Sequence, residues 1–313
     1  MDALTHLLHD LRVESTLYCR FELAAPWAVA YPAGDTAAFH VVTEGRCRLE
    51  VEGREPVTLE AGELAILPHG TAHVLRAGGR VPAVPVEELA ARAGEGVVRL
   101  DGAGERAAYL CGAFRFGERR DHPLLSALPE AIHLRREERA ALPWLETHLA
   151  AIACEATSGR PGAEMVVTRL SEVLFVQAVR AHLAALPEGA RGWVGALRDP
   201  PVARALALIH RHPERPWTVE SLGRAVGLSR SQFAARFAAA VGEPPLAYLS
   251  GWRMHRARSL LRDGTVRMGR IAALLGYGSE AAFSTAFKRV TGVAPGAFRK
   301  TARLEADAER EAA

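Results

Sequence analysis

The sequence predicts an α+β chain of two domains: an amino-terminal antiparallel β-sandwich or barrel backed by a helical layer, then an all-α domain with two helix-turn-helix units joined by a long helix. Three observations carry this. A length of 313 residues suits two domains at roughly 150 residues each. Residues 39–75 are short apolar runs broken by turns, with no helical period. Residues 198–301 contain an internal repeat of period 50 within a segment of 17 Arg or Lys against 6 Asp or Glu, a net charge of +11.

The formal charge of the whole chain is +3, so the remainder carries −8. A basic domain on an acidic body implies a polyanionic partner for that domain alone, nucleic acid being the commonest, with an Arg-rich solvated surface as the alternative. Apolar residues at 49% and charged residues at 24% exclude a mainly disordered chain. No run approaches the ~18 apolar residues of a membrane span, and Met1–Asp10 lacks a basic flank and an apolar signal core, so a cytoplasmic protein without membrane partners is expected. Cys19, Cys47, Cys111 and Cys154 are too sparse for a disulfide scaffold or a CxxC zinc site.

Taken in order, Cys19 alternates with Phe21 and Leu23, a buried pattern. In Arg46–Glu52, Cys47, Leu49 and Val51 alternate with charges, which makes Cys47 a buried small hydrophobe. Turns at Glu52–Arg54 and Ala61–Glu63 bound strands at Val57–Leu59 and Leu64–Leu67, the latter ending at Pro68. Ala77–Gly104 reads as a long irregular loop with a turn of helix at Glu87–Arg92, and Ala107–Phe116 returns to strand. From Ala141 to Leu186 the period is helical. Leu145, Leu149 and Ile152 mark one helix and Val166, Leu170, Val173, Leu174 and Val176 a second, split at Gly159–Gly162. The wide apolar girth of the second helix fits either a core layer or a dimer seam.

The repeat is the most informative feature. Ser229, Phe233, Phe237, Gly242, Pro245 and Tyr248 recur as Ser279, Phe283, Phe287, Gly292, Pro295 and Phe298. A helical run and a glycine (Gly227, Gly276) precede each serine, which is the order of helix, glycine turn, serine N-cap and second helix found in helix-turn-helix units. The paired Phe residues pack inward and leave the amino end of each second helix free to read base edges. Pro245–Leu261 reads as one helix about 25 Å long at ~1.5 Å per residue, a connector able to set two recognition helices about one DNA turn apart.

Two family resemblances follow from these motifs. Gly62-x5-Pro68-x-Gly70-x2-His73 has the spacing of the second cupin motif, and Phe39–Gly45 resembles the end of the first, which implies a cupin jelly roll. Metal-binding cupins add an HxH pair and a Glu. Here the Glu position falls near Ala38 and no HxH occurs upstream of it, so His73 is the one matched ligand and no metal or other cofactor is expected. His40, His69 and His73 remain as an unorthodox ligand set beside the alternative of barrel-lining groups.

Residues 200–301 resemble the DNA-binding domain of AraC/XylS regulators, with Gly276–Tyr277 and Pro295–Arg299 at that family's signature positions. The resemblance implies base contacts from Ser231, Ala234 and Ala235 and from Glu280, Ala281, Ser284 and Thr285, several of them small, with Arg230, Arg236, Lys288 and Arg289 on phosphates. It also implies an activator, binding double-stranded DNA and RNA polymerase, as a possible homodimer, switched through its amino-terminal domain. The expected division is 1–135 cupin-like sensor, 136–197 helical linker or dimerisation layer, 198–301 DNA-binding domain and 302–313 flexible tail.

Two switches and one enzymatic alternative are open at this point. The Met1–Leu4 start, Cys19 and Cys111–Gly112 resemble reactive-chlorine-responsive members of the family, which makes Cys19 and Cys111 candidates for an oxidant sensor, beside the alternative of inert buried thiols. The Cys111–Gly112, His122–Leu125 and Leu128–Pro129 elements are also common to the wider cupin-containing group. A small-molecule inducer in an apolar barrel lined by Trp27, Tyr31, His40 and His73 is the alternative. A cupin metalloenzyme with a DNA-binding tail would require the complete ligand set that is missing.

Overall fold

The computed structural model describes residues 2–11, 13–92, 97–116, 122–135, 143–156, 158–186 and 193–311. These fall into two compact units, one of Leu11–Arg119 with Leu128–Leu186, the other of Met1–Asp10, Arg120–Ala127 and Pro187–Ala313.

In the first unit, β1 (Val13–Ala24), β2 (Trp27–Tyr31), β3 (Ala37–Glu44), β4 (Arg46–Val51), β5 (Val57–Glu60), β6 (Leu64–Leu67), β7 (His73–Ala77), β8 (Val84–Pro85), β9 (Val97–Leu100), β10 (Arg106–Phe116) and β11 (Ile132–Leu134) form two sheets. Their orders are β11-β6-β3-β10-β1-β9 and β5-β4-β7-β2-β8. The core lies between them. Phe21, Leu23, Tyr109 and Cys111 of one sheet meet Trp27, Val29, Cys47, Leu49 and Leu75 of the other. Period-2 alternation selects these residues, and Cys47 is a buried apolar group as expected, 2% exposed.

The six-stranded sheet is buried on its other face too. Of the helices up to this point in the chain, α1 (Ala3–Leu11, but for its last residue) and α3 (Pro123–Ala127) belong to the other unit, and α2 (Val86–Ala90), α4 (Pro143–Ala156) and α5 (Ala163–Ala185) to this one. Residue 141, the expected start of the helical layer, lies outside the described residues. Phe175 of α5 packs on Phe114 and Phe116 at ring centroid distances of 5.1 and 5.3 Å, and the Ser15 hydroxyl donates to the Thr168 carbonyl at 2.7 Å. This face explains why β10 is apolar almost throughout rather than alternating.

Two sequence expectations are corrected. The segment 77–104 is not an irregular loop: β8 pairs in parallel with β2 and β9 in parallel with β1, so both sheets are mixed. Strands of two and four residues are too short for alternation to be visible. In α5 the buried face is Val167, Ser171, Leu174, Phe175, Ala178 and Val179, whereas Val166 and Val173, expected in the apolar stripe, are 44% and 43% exposed. A helix with apolar residues on most of its girth does not reveal which side a sheet will cover.

In the second unit, α6 (Trp193–Ala196), α7 (Pro200–Arg211), α8 (Val219–Ala225), α9 (Arg230–Val241), α10 (Pro245–Arg262), α11 (Met268–Leu274), α12 (Glu280–Thr291) and α13 (Pro295–Glu311) follow one another. The 50-residue repeat appears as α8–α9 and α11–α12. Ser229 caps α9 by accepting from the Gln232 amide, Ser279 caps α12 by accepting from the Ala282 amide, and Gly242 and Gly292 end the helices at φ +94° and +80°. Phe233, Phe237, Phe283 and Phe287 are fully buried. The connector α10 has 18 residues, about 27 Å.

The two turn glycines differ. Gly227 (φ +80°) has open space at its missing Cβ, so only backbone conformation requires it. Gly276 (φ +77°) would place a Cβ 2.4 Å from the Glu214 carbonyl oxygen, so it also permits a close backbone approach. Helix α13 continues ten residues past position 301, over a stretch that apart from Asp307 is Ala, Leu, Glu and Arg, all strong helix formers.

Candidate nucleic-acid interface and sensor cavity

The helix-turn-helix units position one surface each. Inward Phe residues four apart orient α9 so that Arg230, Ser231, Ala235 and Arg236 are exposed and Ala234 is half-buried. In α12, Glu280, Ala281, Thr285, Lys288 and Arg289 are exposed and Ser284 is half-buried. The amino end of α9 carries Arg230, whereas α12 begins with Glu280 and holds its basic Lys288 and Arg289 in the last turn. Arg236 is held back: its Nε donates to Asp199 Oδ2 at 2.6 Å, while Asp199 Oδ1 caps α7 by accepting from the Val202 amide. Sequence gave no signal of this pair, whose members lie 37 positions apart. Arg253 braces the two halves, donating to the carbonyls of Pro213 and Arg215 and lying over the Tyr277 ring.

In the first unit the strands bring the sensor candidates together. Cys19 and Cys111 are directly paired in the β1–β10 register, next to a register shift between Leu17 and Cys19. Both are buried free thiols. Burial raises the Cys19 thiol pKa and, with the neighbouring Cys19, pushes Cys111 up to about 12. The Tyr31 hydroxyl reaches the Cys111 thiol and also the Tyr109 hydroxyl at 3.0 Å, and burial holds both phenols well above their ordinary range. Tyr109 was not legible as a site residue, since alternation marks it simply as core.

His40 and His73 face each other with their Nε2 atoms 2.7 Å apart. The Thr71 carbonyl, 2.8 Å from His73 Nδ1, can only accept, so Nδ1 carries the proton and His73 Nε2 accepts from His40 Nε2–H. Both rings are neutral, because burial disfavours the charged form of each. Burial, with His73 beside it, holds His40 well below its usual range, and burial lowers His73 to about 4 against the opposing Thr71 bond. Tyr31 stacks on His73 at 4.7 Å. His69 is elsewhere, bonded to the Leu128 carbonyl at 3.0 Å, and Trp27 stacks on Tyr109 in the core.

The residues do not fit a cupin metal. The two imidazoles are bonded to each other, and among the described residues no group of three or more His, Cys, Asp or Glu is placed to hold an ion. His73, though neither His40 nor Trp27, lines a cavity of about 380 Å³ together with Tyr31, Thr36, Thr71, Glu87 and Cys111 among others. Its size suits a small organic ligand.

A family model described as Cupin matches residues 2–184, and one described as Helix-turn-helix domain matches residues 222–301. A Streptomyces lividans protein named as an AraC-like transcription regulator is 38% identical over 304 residues, 96% of this chain and 98% of its own. The HTH-type transcriptional regulator AlkR of Acinetobacter baylyi is 30% identical over 305 residues, 96% and 99% of the two chains. The RCS-specific HTH-type transcriptional activator RclR of Escherichia coli is 27% identical over 306 residues, 97% and 99%. No helix among the described residues is long and apolar enough to cross a membrane.

Proposed function

Because this chain belongs to the AraC family of helix-turn-helix transcription regulators with an amino-terminal cupin domain, we propose that α9 and α12 read an operator while the barrel cavity receives the inducer. Base edges meet Ser231, Ala234 and Ala235 on α9 and Glu280, Ala281, Ser284 and Thr285 on α12, and Arg230, Lys288 and Arg289 grip phosphates, with Arg236 shared between phosphate and Asp199. Support comes from the full or partial exposure of these residues along two serine-capped helices in a segment of net charge +11. The protein acts as an activator that contacts RNA polymerase, and it self-associates through the exposed Met165, Val166 and Val173 face of α5. It has no enzymatic role.

The observation that carries the inducer reading is the cavity against Tyr31, His73 and Cys111. An apolar body fits its walls, and polar atoms of Thr36, Thr71, His73 and Glu87 fix orientation. Genome-wide DNA occupancy with and without candidate ligands tests it. Occupancy or transcription that changes with a ligand, and no longer does so in His73→Ala, is the expected result; an unchanged profile across ligands together with a hypochlorite response favours the second reading.

That second reading rests on the facing Cys19 and Cys111 and on the RCS-specific activity named for one relative. Hypochlorous acid chlorinates one thiol with loss of water, the second sulfur displaces chloride, and a Cys19–Cys111 disulfide and HCl result. Residues facing in an antiparallel pair have Cα atoms ~4.5–5.5 Å apart, inside the range a disulfide spans. Burial of both thiols opposes rapid reaction, which is why the cavity ranks first.

A further inference from the structure

The recognition helices spend their short polar side chains inside the protein. On α9, Ser229 Oγ accepts from the Gln232 amide at 3.3 Å, Gln232 Oε1 accepts from the Ser229 amide at 3.2 Å, and the Ser231 hydroxyl lies 3.4 Å from that of Ser229. On α12, Ser279 Oγ accepts from the Ala282 amide at 3.1 Å. Thr285, a full turn further on, donates its hydroxyl hydrogen to the Ala281 carbonyl at 3.0 Å.

A threonine has a single O–H donor, so Thr285 has none left for DNA. Guanine N7 and O6, adenine N7 and thymine O4 are acceptors in the major groove and cannot bond a side chain that offers only lone pairs, which leaves such a side chain the amino groups of adenine N6 and cytosine N4 alone. The Glu280 carboxylate likewise only accepts, and it lies towards the first turn of α11, about 3.5 Å from where a Cβ on Gly269 would stand. Ser284 is half-buried, and what Ala281 and Thr285 still turn outward is apolar. Thr285 presents its Cγ2 methyl, and Ala281, four residues earlier on the same exposed face, presents Cβ. Thymine alone among the unmodified bases answers with a methyl of its own.

We propose that α12 reads a thymine C5-methyl through Thr285 Cγ2 and Ala281 Cβ. The contact is worth about one buried methyl group, so specificity at that base pair is set by van der Waals fit and water exclusion rather than by a hydrogen bond. Lys288 and Arg289, one turn further along α12, hold the phosphates that fix the depth of the helix in the groove. This inference rests on the reading above that α12 enters a major groove.

The full chain selects duplexes from a random pool, and the selected site is then resynthesised with deoxyuridine in place of each thymine in turn. Deoxyuridine pairs as thymine does and lacks only the methyl. Affinity should fall roughly fourfold at one or two positions, the equivalent of one buried methyl. Thr285→Ser, which keeps the hydroxyl and loses Cγ2, should abolish that fall, and Thr285→Val, which keeps a methyl and loses the hydroxyl, should retain it. If every thymine tolerates the replacement, or if Thr285→Ser leaves the sensitivity intact, the methyl reading is overturned while salt-sensitive binding of the parent duplex keeps the DNA-binding reading standing. Failure to select any duplex would overturn both.

Discussion

Cys19 and Cys111 face each other across the β1–β10 ladder, both buried, with the Tyr31 hydroxyl against the Cys111 thiol. A thiol pushed up to about 12 is ionised in only about one molecule in 10⁵ at pH 7, so proximity and reactivity are separate properties here. The exposed Cys154 provides an internal reference. Iodoacetamide at neutral pH should label Cys154 and leave Cys19, Cys47 and Cys111 intact until the protein is unfolded, as read by peptide mass spectrometry. In hypochlorite-treated protein the same measurement should find a Cys19–Cys111 peptide pair if the oxidant reading holds, and Cys19→Ser should then lose any oxidant-induced change in DNA binding.

The His40–His73 pair makes stability pH-dependent. His73 titrates near 4 in the folded chain against about 6.5 unfolded, so between those values the unfolded state binds more protons and stability falls as pH falls. The stability is fully present above pH 6.5 and is lost progressively down to about 4, with His73 contributing on the order of 3 kcal/mol. Urea unfolding at pH 7 and pH 4.5 should show this drop, and His73→Gln should reduce it. A drop of the same size in His73→Gln would place the titrating group elsewhere.

Asp199 restrains Arg236 at 2.6 Å and caps α7 with its other oxygen. Asp199→Asn keeps a capping oxygen and removes the charge that holds the guanidinium. The freed Arg236 should reach a phosphate, so DNA affinity at low salt rises and the slope of log affinity against log salt steepens by about 1. An unchanged slope would show that Arg236 does not reach the backbone.

The turn glycines should separate under alanine substitution. Gly227→Ala strains only a left-handed backbone and should cost about 1–2 kcal/mol. Gly276→Ala adds a 2.4 Å approach to the Glu214 carbonyl, so it should cost more and should also weaken DNA binding by moving α12. Thermal unfolding of the two variants, side by side, checks the order.

The DNA-reading half of this protein was legible because its determinants are local. A serine cap, a glycine at positive φ and two Phe residues four apart each act within one or two turns of helix, so Ser229, Gly227, Phe233 and Phe237, and their repeats, announce the units without any knowledge of the rest of the chain. The alternation that buries Cys47 and Leu49 is local in the same sense. The sensor half was not legible in this way, because its geometry depends on pairing between distant strands. The register that sets Cys19 against Cys111, the bond between His40 and His73, and the choice of Val167 over Val166 as the buried side of α5 all depend on which strand or sheet lies opposite. A one-residue slip in any strand would send these side chains to the other face, and only the packing of two sheets and a helix around a shared core decides against it.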